Sequence, residues 1–238
     1  MYDIKKWFPY GTGTNKKRKL KVFCFYFAGG SSSVFRNWIG VSELIDFIPF
    51  ELPGRGIRIS EPYIEDIKDL VNEIIPVIYN VAQKTPFSLY GHSLGAMIAF
   101  QTAWELQERK LISPESLIVA DEEIIEELRN LNGTPKEIIE NKDIMRFMIP
   151  MIRSDLKLHE SFKYEGQKLN IPITAHCGDG DHEADKMIME YWKDMTIENF
   201  TLEEFKGDHF FIQSTENKYL DRLIDTVSNT FETSSDFR

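Results

Sequence analysis

Residues 86–100 read PFSLYGHSLGAMIAF. A serine set between two glycines, Gly91-His92-Ser93-Leu94-Gly95, follows a short apolar run and precedes a helical pattern. A serine hydroxyl acts as a nucleophile when its oxygen is presented, a base lies within hydrogen-bond reach, and donors await the oxyanion. A sharp strand-to-helix turn meets the first need, and glycines on either side let strand and helix approach closely. The helix N-terminus behind the turn favours developing negative charge. Ser93 is therefore the candidate nucleophile of an acyl transfer.

The base must be one of five histidines. His92 lies inside the motif and is expected to point away from its neighbour's oxygen. His159 falls in a helical, charged block, His176 within a strand, and His182 directly after the acidic candidates. His209, in FKGDHFF, follows the last strand, where the chain order Ser…Asp…His places the base. The orienting acid should follow the penultimate strand, in CGDGDHEAD. That stretch offers Asp179, Asp181 and Asp185; Asp181 is favoured, with Asp179 in reserve. Asp208 adjoins His209, but neighbouring side chains rarely align for such a bond. Oxyanion donors should be the backbone N–H of Leu94, and that of Ala28 or Phe27 in FAGGSSS. His176, Cys177, Asp179, Asp181 and His182 are dense enough to raise a metal site, yet match no usual ligand spacing. No metal and no cofactor is expected.

These residues need a scaffold. LKVFCFYFA (20–28) is a continuous apolar strand, followed by a helix over 34–44 and a second strand over 45–54. Apolar residues at helical spacing (Ile67, Leu70, Val71, Ile74, Ile75, Ile78) predict a helix over 65–83, kinked at Pro76. Strands at 87–90, 116–120, 171–178 and 199–207 and helices at 94–109 and 216–231 complete the alternation. That pattern predicts a mostly parallel sheet covered on both faces. Residues 1–19 form an N-terminal arm, 20–120 and 166–232 the α/β core, 121–165 a helical lid insertion, and 233–238 a tail.

The 238-residue chain carries a net charge of −10, the wrong sign for a nucleic-acid binder. Its one basic run, Lys16-Lys17-Arg18-Lys19, is expected to be a solvated arm. Cys24 and Cys177 sit in apolar runs and read as buried thiols, which fits a reducing cytosol. No signal peptide or membrane span is seen, so a cytoplasmic location is expected, with a monomer as the default.

The sequence resembles the type II thioesterases, the stand-alone editing hydrolases of polyketide and nonribosomal peptide synthesis. CFYFAGGSSSVFRNW (24–38), ELPGRGIRISEP (51–62), PFSLYGHSLGAMIAFQTAWEL (86–106), LNGTPKEIIENKDIMRFMIPMIRSDLKLHESF (131–162), CGDGD (177–181) and GDHFFI (207–212) follow the family's blocks in order. The resemblance implies an α/β-hydrolase fold with a helical lid. It also implies hydrolysis of acyl thioesters on the phosphopantetheine arm of acyl or peptidyl carrier domains. On these blocks Ser93, Asp181 and His209 match the triad, and Ala28 and Leu94 the oxyanion positions. Two departures stand out: Tyr26-Phe27 replaces a Pro-His pair, and Asp121-Glu122-Glu123 directly follows SLIVA, where the family has a further loop.

Other residues have plainer readings. Arg55 and Arg58 in PGRGIR could meet a phosphopantetheine phosphate, but an ion pair with Glu51, Glu61 or another loop carboxylate is favoured. Met145, Met148 and Met151 read as packing residues, as do Trp38 and Trp104. Three rival functions remain: a general carboxylester hydrolase, an acyl-CoA or fatty-acid chain-releasing thioesterase, and a non-catalytic synthase-binding module.

Overall fold

The computed structural model describes residues 3–13, 19–83, 85–120, 142–181, 185–208, 210–214 and 216–235. Six strands form its centre: β1 (Leu20–Phe25), β2 (Ile45–Pro49), β3 (Phe87–His92), β4 (Leu117–Ala120), β5 (Ile173–Gly178) and β6 (Phe200–Phe205). They lie in the order β2-β1-β3-β4-β5-β6, every neighbouring pair parallel. β3 is buried along its whole length, Ser88 and His92 included, as befits a central strand covered on both faces. β6, at the edge, is buried at none of its six positions, and its side chains are half-buried or exposed.

Seven α-helices are present among the described residues: α1 (Ile4–Trp7), α2 (Ile67–Ala82), α3 (Leu94–Glu108), α4 (Lys142–Ser161), α5 (Lys186–Met189), α6 (Phe211–Ser214) and α7 (Glu216–Ser235). The α2 stripe packs inward as its spacing predicts, and Asp66 caps it by accepting from the amides of Lys68 and Asp69. The helix runs on through Pro76 and ends where Gln83 turns to φ +48°. α3 is buried on nearly every side, wedged against α2 and against β1, β3 and β4. This burial explains why its sequence shows no polar face. The parallel, helix-covered sheet expected from the alternation is thus present, as the α/β-hydrolase fold implied by the resemblance requires.

Two local readings change. The helix expected over 34–44 is a kinked 3-10 turn, Ser32–Trp38, and the chain is extended at Ile39. Its two core anchors, Phe35 and Trp38, are three residues apart, the repeat of a 3-10 turn. Val41 and Leu44 beyond them are about half exposed and give a longer helix nothing to bury. The second strand stops at Pro49, after which Glu51 turns in to Ser32. The N-terminal segment is docked: Phe8 packs on Phe23 and Phe50, and the Arg58 guanidinium lies 4.0 Å over the Trp7 ring. Of the basic run, Lys19 is exposed, and residues 16–18 lie outside the described residues.

Cys24 and Cys177 are free and buried. Trp38 is buried in an aromatic cluster with Phe35 and Tyr90, and Trp104 is partly buried against the core. Met151 is buried and Met148 half-buried on α4. The Met145 side chain lies outside the described residues, as do residues 121–141. No helix among the described residues is long and apolar enough to cross a membrane.

His176 shows how tightly the sheet is packed. It is fully buried in β5, its Nδ1 lies 3.0 Å from the Tyr219 hydroxyl, and Tyr219 donates to Tyr90 at 2.9 Å. Burial, with a smaller contribution from Arg222, pushes its pKa down to about 3. The unfolded chain takes up that proton near pH 6.5, whereas the folded chain refuses it. Stability from this group is therefore complete above that pH and is lost as the pH falls toward 3, by about 2 kcal/mol at pH 5. His176→Phe is expected to shrink the drop in urea-unfolding free energy between pH 7.5 and pH 5 by about that amount. An unchanged drop would show that His176 takes up its proton in place.

Candidate active site

Parallel strands deliver their C-terminal ends to one edge of the sheet, where loops from several strands can meet. The loops after β1, β3, β5 and β6 converge there. Ser93 joins β3 to α3 with φ +53° and ψ −122°, a backbone state that non-glycine residues rarely hold. Its amide donates to the Ala120 carbonyl at 2.7 Å, and its own carbonyl accepts from Ala96 at 2.7 Å. The hydroxyl has no exposed surface and, among the described residues, no hydrogen-bond partner. The corner thus presents its oxygen within the molecule rather than to bulk solvent.

Two glycines permit this corner. A Cβ on Gly91 would overlap the Gly95 carbonyl and sit 2.5 Å from the Ala96 Cα. One on Gly95 would overlap the carbonyl oxygen of Phe25. Strand and helix therefore cross with backbone touching backbone, as the flanking glycines led one to expect.

Leu94, the first residue of α3, supplies one of the unpaired amides of a helix N-terminus. The loop after β1 makes a turn in which the Gly30 amide donates to the Phe27 carbonyl at 3.0 Å, with Gly29 at φ +78°. The Gly29 amide is already committed, donating to Asp155 Oδ2 at 2.8 Å.

His209 lies outside the described residues, as does His182, but the neighbours of His209 are described. The loop after β6 is laced to the loop after β5: Asp179 donates its amide to the Phe205 carbonyl at 2.7 Å and Gly180 to that of Gly207 at 2.8 Å. In return the Asp179 carboxylate accepts from the Gly207 amide at 2.9 Å. Asp179 is exposed and spent on this backbone contact, whereas Asp181 is buried. Asp185 caps α5, accepting from the amides of Met187 and Ile188. On the other side, the Phe210 ring meets Phe27 edge-on at 5.5 Å. His92 completes the trio, its ring 5.3 Å from Phe27 and 6.5 Å from Phe210. The immediate chain neighbours of Ala28, Ser93 and His209 are thus packed together. His92 packs its ring against both phenylalanines at this corner.

These loops belong to a recognisable set. Residues 20–231 match the Thioesterase domain family. The chain belongs to that family. It is similar to the gramicidin S biosynthesis protein GrsT of Aneurinibacillus migulanus, 30% identical with 91% of each chain covered. It is also similar to the human medium-chain S-acyl fatty acid synthase thioesterase, 32% identical over 87% of this chain and 86% of that one. The structure of BorB, a type II thioesterase from the borrelidin biosynthetic cluster, superimposes with a TM-score of 0.79 at 28% identity, covering 95% of this chain and 99% of that chain. The resemblance to type II thioesterases is borne out, and the chain is a serine-type thioester hydrolase.

Within this thioesterase, neither arginine of the PGRG loop is free. Arg58 donates to Glu61 Oε2 through Nε at 2.9 Å and Nη2 at 2.6 Å, and to the Glu51 carbonyl. Arg55 forms a bidentate pair with Asp155, at 2.9 and 2.6 Å. The ion-pair reading of both arginines therefore holds, but the partner of Arg55 is on α4, a hundred residues away, rather than in the loop. The spacing of SDLKLHESF held no sign of it, because Asp155 lies among other polar residues of a helix. Among the described residues no group of three or more His, Cys, Asp or Glu is placed to hold a metal ion.

Proposed function

We propose that the protein removes acyl groups from the phosphopantetheine arm of acyl or peptidyl carrier domains, as a stand-alone editing enzyme of polyketide or nonribosomal peptide synthesis. Ser93 Oγ attacks the thioester carbonyl while His209 takes its proton. The tetrahedral oxyanion is held by the amides of Ala28 and Leu94. Its collapse breaks the C–S bond and releases the pantetheine sulfur, which His209 protonates. A thiol is a good leaving group, so this step needs no strong acid. Water then attacks the acyl-serine with His209 as base, which frees the carboxylic acid and restores Ser93. Asp181 orients the imidazole and stabilises its charged form.

The observation that carries this reading is the packing of Phe27, His92 and Phe210, which draws the neighbours of Ala28, Ser93 and His209 to one point. Similarity to GrsT and to BorB supports a carrier-bound substrate. The human relative favours a second reading, in which the acyl group comes from a fatty acid synthase. No cofactor enters the proposed chemistry. Two free, buried cysteines suit the cytoplasm, where we place the protein as a monomer.

The test is deacylation of acetyl- and longer-acyl-phosphopantetheinyl carrier proteins, followed by mass spectrometry beside p-nitrophenyl esters. Carrier turnover well above the ester rate supports editing. Turnover of esters alone would make this a general esterase, and preference for medium-chain acyl groups would favour the second reading. Within the same assay Asp181→Asn is expected to lower kcat about 10⁴-fold through the wrong imidazole tautomer. Asp179→Asn keeps an acceptor for the Gly207 amide and should stay within a few-fold, roughly the effect of a surface substitution. The reverse ranking would make Asp179 the triad acid.

A further inference from the structure

One buried ion pair lies beside the loop that is to hold the oxyanion. Asp155 and Arg55 are 1% and 4% exposed. Asp155 Oδ1 accepts from Arg55 Nη2, while Oδ2 accepts both from Arg55 Nη1 and from the Gly29 amide. The Arg55 guanidinium also lies 5.6 Å from the Tyr26 ring centroid, at the base of the same loop. Tyr26 in turn accepts from the Leu52 amide at 3.0 Å, and Glu51 accepts from the Ser32 hydroxyl at 2.7 Å. The charges therefore tie together three remote segments: residues 26–32, the 51–58 loop and α4.

We propose that Asp155, with Arg55 holding it in place, is a positioning residue for the oxyanion donor Ala28. The proposal rests on the oxyanion reading above. The physical reason lies in the turn. Gly30 donating to Phe27, with Gly29 at positive φ, is the signature of a type II turn. Such a turn differs from type I by a flip of its central peptide, here the one joining Ala28 to Gly29. The amide of that peptide is the one Asp155 captures. A carboxylate already aligned by a bidentate guanidinium locks the flip in one sense. Ala28 is the second residue of the same turn; its own N–H lies in the preceding peptide and is held through the Cα it shares with the pinned one. Because Asp155 rides on α4, the seating of that helix sets the oxyanion hole. Taking the Gly29 amide out of use also explains why Ala28 is the available donor.

Removing one partner of a buried pair leaves the other charge stranded and can unfold a chain, whereas replacing both with apolar residues is often tolerated. The decisive variant is accordingly Arg55→Met with Asp155→Leu, beside Asp155→Asn, which keeps an oxygen for Gly29. Three readouts are needed: kcat on S-butyryl-pantetheine, affinity for an alkyl trifluoromethyl ketone that forms a tetrahedral adduct with serine, and affinity for the unreactive thioether of the same substrate. Misplacing a donor by about 1 Å costs on the order of 100-fold. The double variant should therefore lose kcat and ketone affinity together, by about 30- to 100-fold, with thioether affinity within about threefold. Asp155→Asn should fall between it and the wild type. A folded double variant with unchanged kcat overturns the proposal, and so does a thioether affinity that falls as far as kcat. If the wild type forms no Ser93-dependent ketone adduct, the oxyanion reading itself fails and takes this role with it. An intact wild-type adduct with an insensitive double variant refutes the Asp155 role alone.

Discussion

Ser93→Ala is expected to lower kcat for thioester hydrolysis by about 10⁵- to 10⁶-fold, the loss typical of deleting the nucleophile from a serine triad. The same substitution should leave the fold untouched. Alanine keeps the Cβ and therefore the same strained backbone at φ +53°. The hydroxyl it removes is buried and has no hydrogen-bond partner among the described residues, so no described donor or acceptor is orphaned. Thermal unfolding should thus occur at the wild-type temperature or slightly above it. Ser93→Gly should go further, because glycine adopts positive φ freely: a gain of about 1–3 kcal/mol is expected as the stored strain is released. Activity would vanish in both variants while stability rises in one. Calorimetry and carrier deacylation measured on the same preparations check this pairing. A Ser93→Ala enzyme retaining more than about a hundredth of wild-type kcat would show that another group attacks the thioester.

Gly91→Ala and Gly95→Ala are expected to be the most damaging single-methyl changes among the described residues. Each added Cβ would meet backbone, not the tip of a mobile side chain: the Gly95 carbonyl in one case, the Phe25 carbonyl in the other. Relief requires α3 to move away from β1 or β3. Yet α3 is packed against three central strands and buried almost throughout. Close-packed interiors yield little, so the cost should exceed about 4 kcal/mol, a large share of the stability of most domains. Loss of soluble protein, or a collapse of the urea midpoint, is the expected observation. Alanine at either position with near-native stability would mean that the corner is far softer than its contacts indicate.

Much of this was legible in the amino-acid order, for a physical reason. The strand–helix alternation, the corner at Ser93 and the inward stripe of α2 depend on local periodicity and on residues a few positions apart. A continuous apolar run such as residues 22–28, closed by Gly29-Gly30, reads as an interior strand, and Gly91 and Gly95 announce a close crossing before the partner is known. Chain order alone placed Asp181 and His209 after the last two strands. The 3-10 turn at Ser32–Trp38 was harder to read, because Val41 and Leu44 extend an apolar pattern that finds no surface to bury against.

Tertiary structure decided which chemically equivalent groups meet. Asp179 and Asp181 are indistinguishable by type, and only the lacing of the β5 and β6 loops commits one carboxylate to the Gly207 amide and buries the other. Arg55 had several acidic neighbours in sequence, but its partner is Asp155 on α4. Phe27, His92 and Phe210 come from three separate loops and form one aromatic contact. Local sequence sets the conformation of each segment through short-range sterics and burial. Pairings between remote segments follow from the sheet order β2-β1-β3-β4-β5-β6, which brings the ends of non-consecutive strands to a common edge.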